Sequence, residues 1–517
     1  LDSVVGTDST MTASARMSGI LLPLFSVRSA NDLGVGDFGS LPGFFDWLKA
    51  AGQKLWMTLP LLPTAHNDPS PYSTASAFGL SGLYIDIRHL PVEVTLEREE
   101  EAIVKEARAS KTARYDLVFP LKEALLERGY QAFLRHASLE QNTRFEAWCR
   151  AQKSWLDDFA LFTALCEEQG YRAFWEWPMA LASRQGAALV QARERHAKAI
   201  RFQCWVQWVA EEQWQNVRAQ AHAKGILICG DEPFIISQNS ADAWVHPELL
   251  RRDARLGVPP DDFAADGQDW GLPWFDFNAM AAQDYAWLKA RANKAASYYD
   301  LRRVDHAIGY FRQWIRDDQT PRGRFVPGDE PSQRSLGDKH FRLLSEGSRI
   351  VAEDLGVIPR FAREVLAELK LPGYQVMRWS RADGVYQNPH HYPPVSLVTT
   401  GTHDTETLKA WWENAQGWER ETVVRVFPEL SSITPAPAFT PQVHEALLRA
   451  ALNASSELCV LPWQDVFGEA ERVNLPGTVG AHNWVYRMGP LAEELLARED
   501  TQATAAWLAG LSQQGNR

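Results

Sequence analysis

Four short β-prone segments in this chain each run into an acidic residue. Ile226–Cys229 leads to Asp231, Leu301–Val304 to Asp305 and His306, Arg349–Ala352 to Glu353 and Asp354, and Val395–Thr400 through Gly401-Thr402 to His403 and Asp404. One apolar strand followed by an acid means little, because helix N-caps are often Asp. Four in order, two with an adjacent His, make a pattern. In a parallel barrel all strand C-termini open on one face, so side chains scattered over about 170 positions would converge there. Two chemistries use several carboxylates at one mouth. Hard divalent cations take oxygen ligands. Glycoside cleavage needs an ionised carboxylate and a protonated carboxyl beside a cationic transition state. Arg303, His306 and His403 favour the second, since cations among the ligands oppose a metal site. An Arg two residues before Asp305 also favours its ionised form, as a nucleophile requires.

The elements that must position these groups follow from patterning. Gly19–Leu24 reads as a buried strand. Leu41, Phe44, Phe45 and Leu48 form a helical stripe ending at Gly52, and Leu55–Leu61 is a second strand. Strand, helix and strand in that order begin a parallel α/β sheet. From 93 to 196 Glu, Lys, Arg and Ala dominate at helical spacing, which predicts a helical insertion rather than a separate domain. A long helix carrying Phe202, Trp205, Val206 and Val209 then ends near Gly225. Residues 253–278, rich in Gly, Pro, Asp and Trp, read as an irregular functional loop. The segment after Ser456 offers helices and loops, not the evenly spaced strands of a β-sandwich.

The chain has 517 residues, room for several domains or for one enlarged barrel. A net charge of −12 argues against nucleic acid, anionic membranes and strongly acidic substrates as partners. No apolar run approaches the ~18 residues of a membrane span. Five dispersed cysteines without a CxxC pair suit neither a disulfide framework nor a zinc site, and point to the reducing cytoplasm. The 21 Trp, 23 Phe and 13 Tyr are expected mainly in the core, with sugar stacking a minor use. Leu1–Thr10 lacks the features of a signal peptide and reads as an extraneous remnant ahead of Met11.

A set of motifs gives the pattern a family. They are Ser70-Pro71-Tyr72 with Ser73 to Phe78, Gly230-Asp231, Ser240-Ala241-Asp242-Ala243-Trp244, Gly257-Val258-Pro259-Pro260-Asp261, and Gly267-Gln268 with Trp270-Gly271 and Pro273. Further on come Arg303-Val304-Asp305-His306, Ala352-Glu353-Asp354-Leu355-Gly356, Gly401-Thr402-His403-Asp404 and Asn474-Leu475-Pro476-Gly477-Thr478. In this ordered set the chain resembles the 4-α-glucanotransferases (amylomaltase, or disproportionating enzyme) of glycoside hydrolase family 77, relatives of the α-amylases. The resemblance implies an α/β fold, a (β/α)8 TIM barrel over 19–500 with the helical insertion at 93–196, a substrate lid at 253–278 and no C-terminal β-sandwich. It implies retaining transfer of a glucanosyl unit from an α-1,4-glucan or maltooligosaccharide donor to the 4-hydroxyl of a sugar acceptor, with no cofactor and no metal. Asp305 would be the nucleophile and Glu353 the acid and then base. Asp404 would grip the distorted sugar. Arg303, His403 and Asp231 would support the site, with Asn474 beside them. Asp261, Gln268 and Trp270 would face substrate from the lid, and Tyr72 would offer a sugar platform. His306 reads equally as a supporting residue or a substrate contact. Asp354 reads as a helix cap, and Trp411 and Trp412 as core. Four departures bear on specificity: Ser81-Gly82 for Asn-Pro, Glu232 for an apolar residue, Arg378-Trp379 for Gln and Phe, and Thr405 for Asn. Glu232 is expected to be solvated or paired, with a sugar contact left open. The rival readings are an α-glucan hydrolase and a non-catalytic glucan-binding protein.

Overall fold

A computed structural model describes residues 16–260, 267–317, 322–382 and 384–517. The remnant expected at Leu1–Thr10 lies outside them. In chain order the strands are β1 (Met17–Leu21), β2 (Leu55–Thr58), β3 (Leu227–Glu232), β4 (Leu250–Val258), β5 (Gln268–Phe275), β6 (Leu301–Val304) and β7 (Gln313–Arg316). They continue with β8 (Arg324–Val326), β9 (Arg349–Ala352), β10 (Gly373–Val376), β11 (Arg381–Ala382), β12 (Val385–Tyr386), β13 (Ser396–Thr399) and β14 (Leu458–Pro462).

Eight of these close into a barrel in the order β1-β14-β13-β10-β9-β6-β3-β2. Every pairing in it is parallel. Barrel strands such as β1, β2, β13 and β14 are buried on both faces and read as short apolar runs, whereas β6 carries Arg302 and Arg303 and β10 is half-buried at Gly373 and Gln375. Gly19 is required by the β1–β2 approach, where a Cβ would stand 2.2 Å from the Leu55 carbonyl oxygen. Helix Leu41–Ala50 joins β1 to β2 and buries Phe44, Phe45, Trp47 and Leu48. Between β2 and β3 the chain is largely irregular up to residue 97 and helical from Arg98 on, ending in helix Ala197–Ala223. That helix buries Trp205, Trp208 and Trp214, and Gly225 at φ +75° turns the chain into β3. Trp47, Trp56, Trp205, Trp208, Trp214, Trp244, Trp412 and Trp463 are fully buried, so the aromatic surplus is largely core. Trp411 is buried beside Trp412.

Three features depart from the patterning. β10 and β14 complete the barrel, although neither stands out as a strand followed by an acid. The stretch 253–278 is not an irregular loop: β4 and β5 pair antiparallel in a four-stranded sheet of order β5-β4-β7-β8. Its polar, glycine-rich sequence is that of an exposed hairpin, and two register shifts interrupt its ladder. Among the described residues no strand follows Pro462, and helix Glu499–Gln514 packs near the C-terminus. Among the described residues no helix is long and apolar enough to cross a membrane.

Candidate active site

The four acid-bearing segments are β3, β6, β9 and β13, which share one barrel mouth. The β3–β6 register sets Asp231 beside Arg303, and the β6–β9 register sets Arg303 beside Val351. Arg303 is the hub. Its Nη1 donates to both Asp231 oxygens at 2.7 Å and to Asp305 Oδ1 at 2.8 Å, and its Nη2 lies 4.0 Å from Glu353 Oε2. The guanidinium therefore occupies the space between carboxylates that a cation would need. The Tyr374 ring lies beneath it, 5.9 Å from Cζ.

The carboxyls are not equivalent. Glu353 is pushed up to about 8, chiefly by burial, against the pull of Arg303 and with the neighbouring Asp305 charge adding to the rise. The His306 backbone N–H donates to its Oε2 at 2.8 Å and fixes its orientation. Asp404 goes the other way. Enclosure opposes its ionisation, but His403, Asn474 and Arg303 outweigh this and hold it at about 2. Asn474 Nδ2 donates to its Oδ1 at 2.6 Å, and His403 Nε2 lies 3.3 Å from its Oδ2. Burial pushes Asp231 up, and Arg303 pulls it back. Asp305 and Asp404 keep 26% and 40% of their side chains open to the mouth, while Arg303 keeps 6%. A protonated carboxyl at Glu353 and an ionised one at Asp404, both at one barrel mouth, give the contrast that acid–base chemistry on a glycoside uses.

Tyr72 spends its hydroxyl in this network. It donates to Asp231 Oδ2 at 2.7 Å and meets His403 Nε2 at 2.9 Å. Since the phenol has one proton, His403 supplies the other hydrogen from Nε2. The Tyr72 ring stacks on His403, and Trp484 packs on both. From the hairpin, the Trp270 ring meets His306 in a T-shaped contact with centroids 4.9 Å apart, and its Nε1 donates to Gln268 Oε1 at 3.2 Å. His306 sits in the left-handed region at φ +44°, and burial pushes its imidazole down to about 4, so it is neutral. Asp261 lies outside the described residues. The other predicted site residues are brought to the mouth, and Gln268 is exposed at its rim.

Motif reading missed three supporting residues. Arg472 Nη2 donates to the Asp404 carbonyl at 2.6 Å, Trp484 walls the Tyr72 side, and Tyr374 underlies Arg303. Only proximity of Arg472 to the Asn474 motif hinted at any of them. Asp354 is not a helix cap. The next helix, Arg360–Glu368, starts after Pro359, and Asp354 accepts the Tyr374 N–H at 2.6 Å, tying β9 to β10.

A family model for 4-alpha-glucanotransferase, glycoside hydrolase family 77, matches residues 22–492. The chain belongs to this family. The 4-alpha-glucanotransferase of Chlamydia muridarum is 31% identical over 507 residues, spanning 95% of this chain and 94% of its own. That of Thermus thermophilus is 32% identical over 493 residues, spanning 91% and 95%. Among solved structures, amylomaltase from Streptococcus agalactiae in complex with acarbose superposes with a TM-score of 0.81 at 28% identity, covering 97% of this chain and 99% of that one.

Departures from the usual 4-alpha-glucanotransferase pattern resolve as structural pairings. Glu232 is buried on the face of β3 opposite Asp231, bound to Arg302 at 2.8 Å and Arg291 at 3.1 Å. It is paired, not solvated. Ser81 caps its own turn through the Leu83 N–H, and Thr405 exchanges hydrogen bonds with Thr402.

Proposed function

We propose that this 4-alpha-glucanotransferase acts by double displacement, with Asp305 as nucleophile, Glu353 as acid and base, and Asp404 as the carboxylate that holds the reacting sugar. The observation that carries the assignment is the contrast between Glu353, lifted to about 8 by burial, and Asp305, bound to the Arg303 guanidinium at 2.8 Å. At neutral pH Glu353 holds a proton to give, and Asp305 has a lone pair to attack with.

In the first step an Asp305 oxygen bonds to the anomeric carbon. The bond from that carbon to the glycosidic oxygen breaks, and Glu353 passes its proton to the leaving oxygen. Forming the ester removes the Asp305 charge, one of the influences that hold Glu353 high. Glu353 therefore becomes a competent base when the second step needs one. It takes the proton of an acceptor hydroxyl, whose oxygen displaces Asp305 and restores an α-linkage. Asp404, held at about 2, stays anionic throughout and stabilises the cationic transition state.

Transfer rather than hydrolysis requires that sugar outcompete water at about 55 M, hence a dry site and a well-held acceptor. The β4–β5 hairpin, whose Trp270 reaches His306, supports its reading as a lid on the acceptor side. Tyr72 supports the donor side with its ring, since its hydroxyl is already engaged. The donor is an α-1,4-glucan or maltooligosaccharide and the acceptor another sugar's 4-hydroxyl. Five free cysteines accord with a cytoplasmic location. Incubation with maltotriose alone tests this: glucose plus a ladder of longer oligomers is expected, and glucose with maltose only would make the enzyme a hydrolase.

A further inference from the structure

Arg378, one of the departures from the family pattern, is a buried cation outside the Arg303 cluster. It follows β10, 5% exposed, with its Cζ 5.4 Å from the Trp411 ring. Its donors converge on one loop. Nε and Nη2 reach the Thr400 carbonyl at 3.2 and 3.0 Å, and Nη1 reaches the Glu406 carbonyl at 2.8 Å. Those carbonyls bound the segment that presents His403 and Asp404. Asp465, 1% exposed, braces the same segment: the Thr400 hydroxyl and the Leu408 N–H donate to its two oxygens, both at 2.6 Å. Arg378 and Asp465 face each other across Gly401, whose absent Cβ would stand 3.3 Å from Nη2 and 3.7 Å from Oδ2. Within the loop Thr402 accepts the Asp404 N–H at 3.2 Å, so constraint at the ends passes to the Asp404 backbone.

We propose that Arg378 is a positioning residue for the transfer reaction, a two-ended clamp on Thr400 and Glu406 that sets where the Asp404 carboxylate stands against the reacting sugar. A planar guanidinium presents donors in a fixed fork and can span two carbonyls at once. A lysine ammonium supplies the charge that faces Asp465 but not the fork. A glutamine supplies one amide and no charge. The clamp acts on a group that binds hardest in the transition state, so loosening it lowers kcat more than it raises KM. A displacement of about 1 Å at such a group costs up to about 100-fold.

The clamp rests on the proposed role of Asp404. Asp404→Asn tests that role separately, since full activity there would remove the role itself.

The discriminating experiment compares Arg378→Lys and Arg378→Gln for kcat and KM in maltotriose disproportionation, with thermal unfolding of each variant. Arg378→Lys retains the charge and is expected to keep its unfolding midpoint near that of the parent. Its kcat should fall about 10- to 100-fold, its KM should stay within about threefold, and its alkaline limb near pH 8 should not move. Arg378→Gln should lose at least as much kcat. A purely structural cation would be satisfied by lysine. An Arg378→Lys enzyme with kcat within about twofold of the parent, beside an inactive Asp404→Asn, would overturn the clamp while leaving the role of Asp404 intact. Equal falls in kcat and folded fraction in both variants would overturn it as well.

Discussion

Replacing Asp305 with Asn removes one negative charge from beside Glu353 while keeping the side chain's size. Burial is the main reason Glu353 stands at about 8; Arg303 opposes it, and the Asp305 carboxylate adds to it. Retaining glycosidases hold their two carboxyls about 5–5.5 Å apart. At that distance, with an effective dielectric near 20, two unit charges interact by about 3 kcal/mol, equivalent to roughly two pH units. Losing a like charge makes ionisation easier, so Glu353 should fall to about 6 in Asp305→Asn. Arg303, freed of one partner, pulls in the same direction. The carboxylic C=O stretch in infrared difference spectra, or carbon-13-labelled glutamate by NMR, reads this in substrate-free enzyme. The parent enzyme should lose the protonated signal through about pH 8. The same ionisation should set the alkaline limb of kcat/KM, with activity lost about tenfold per pH unit above it. A Glu353 signal that stays near 8 in Asp305→Asn would refute the electrostatic coupling, and with it the acid-to-base conversion between the two steps.

Two further substitutions probe the supports. Asn474→Ala withdraws a 2.6 Å hydrogen bond from the Asp404 carboxylate. At about 1.5–3 kcal/mol for a bond to a charged group, kcat/KM should fall roughly 10- to 150-fold, and a loss under threefold would contradict the role given to that contact. Glu232→Leu leaves Arg302 and Arg291 buried without their counter-charge. Urea denaturation should show a loss of about 3–5 kcal/mol, and an unchanged midpoint would mean the triad is not an ion-paired unit.

What the sequence disclosed follows from where its signals are local. β6 and β9 lie at Leu301–Val304 and Arg349–Ala352 as patterned, because a short buried run flanked by polar residues is legible alone. β10 was not, since Gly373-Tyr374-Gln375-Val376 has neither an apolar run nor an acid at its end. β14 is apolar, but the acid that follows it, Asp465, stands behind Trp463 and Gln464 and has no His or Arg beside it in sequence to draw notice. The β4–β5 hairpin reads as a loop because 253–278 is rich in Gly, Pro, Asp and Trp, residues that mark turns in a local pattern. Asp354 illustrates the limit of local rules: an acid after a strand looks like a cap, yet its partner is the Tyr374 N–H, twenty residues away. Likewise the choice of Arg at 378 is intelligible only once Thr400 and Glu406 are seen to flank it.

The most direct measurement concerns the covalent step. Asp305 is the only carboxyl side chain in the tryptic peptide Val304–Arg312. Glu353→Gln enzyme, slowed in the second step, can be treated with an α-maltosyl fluoride blocked at its non-reducing 4-position, quenched in acid, digested and examined by mass spectrometry. An ester-linked glycosyl adduct on Asp305 is the expected result. A glycosyl adduct on another carboxylate, or turnover with no adduct on this peptide, would contradict a mechanism through Asp305.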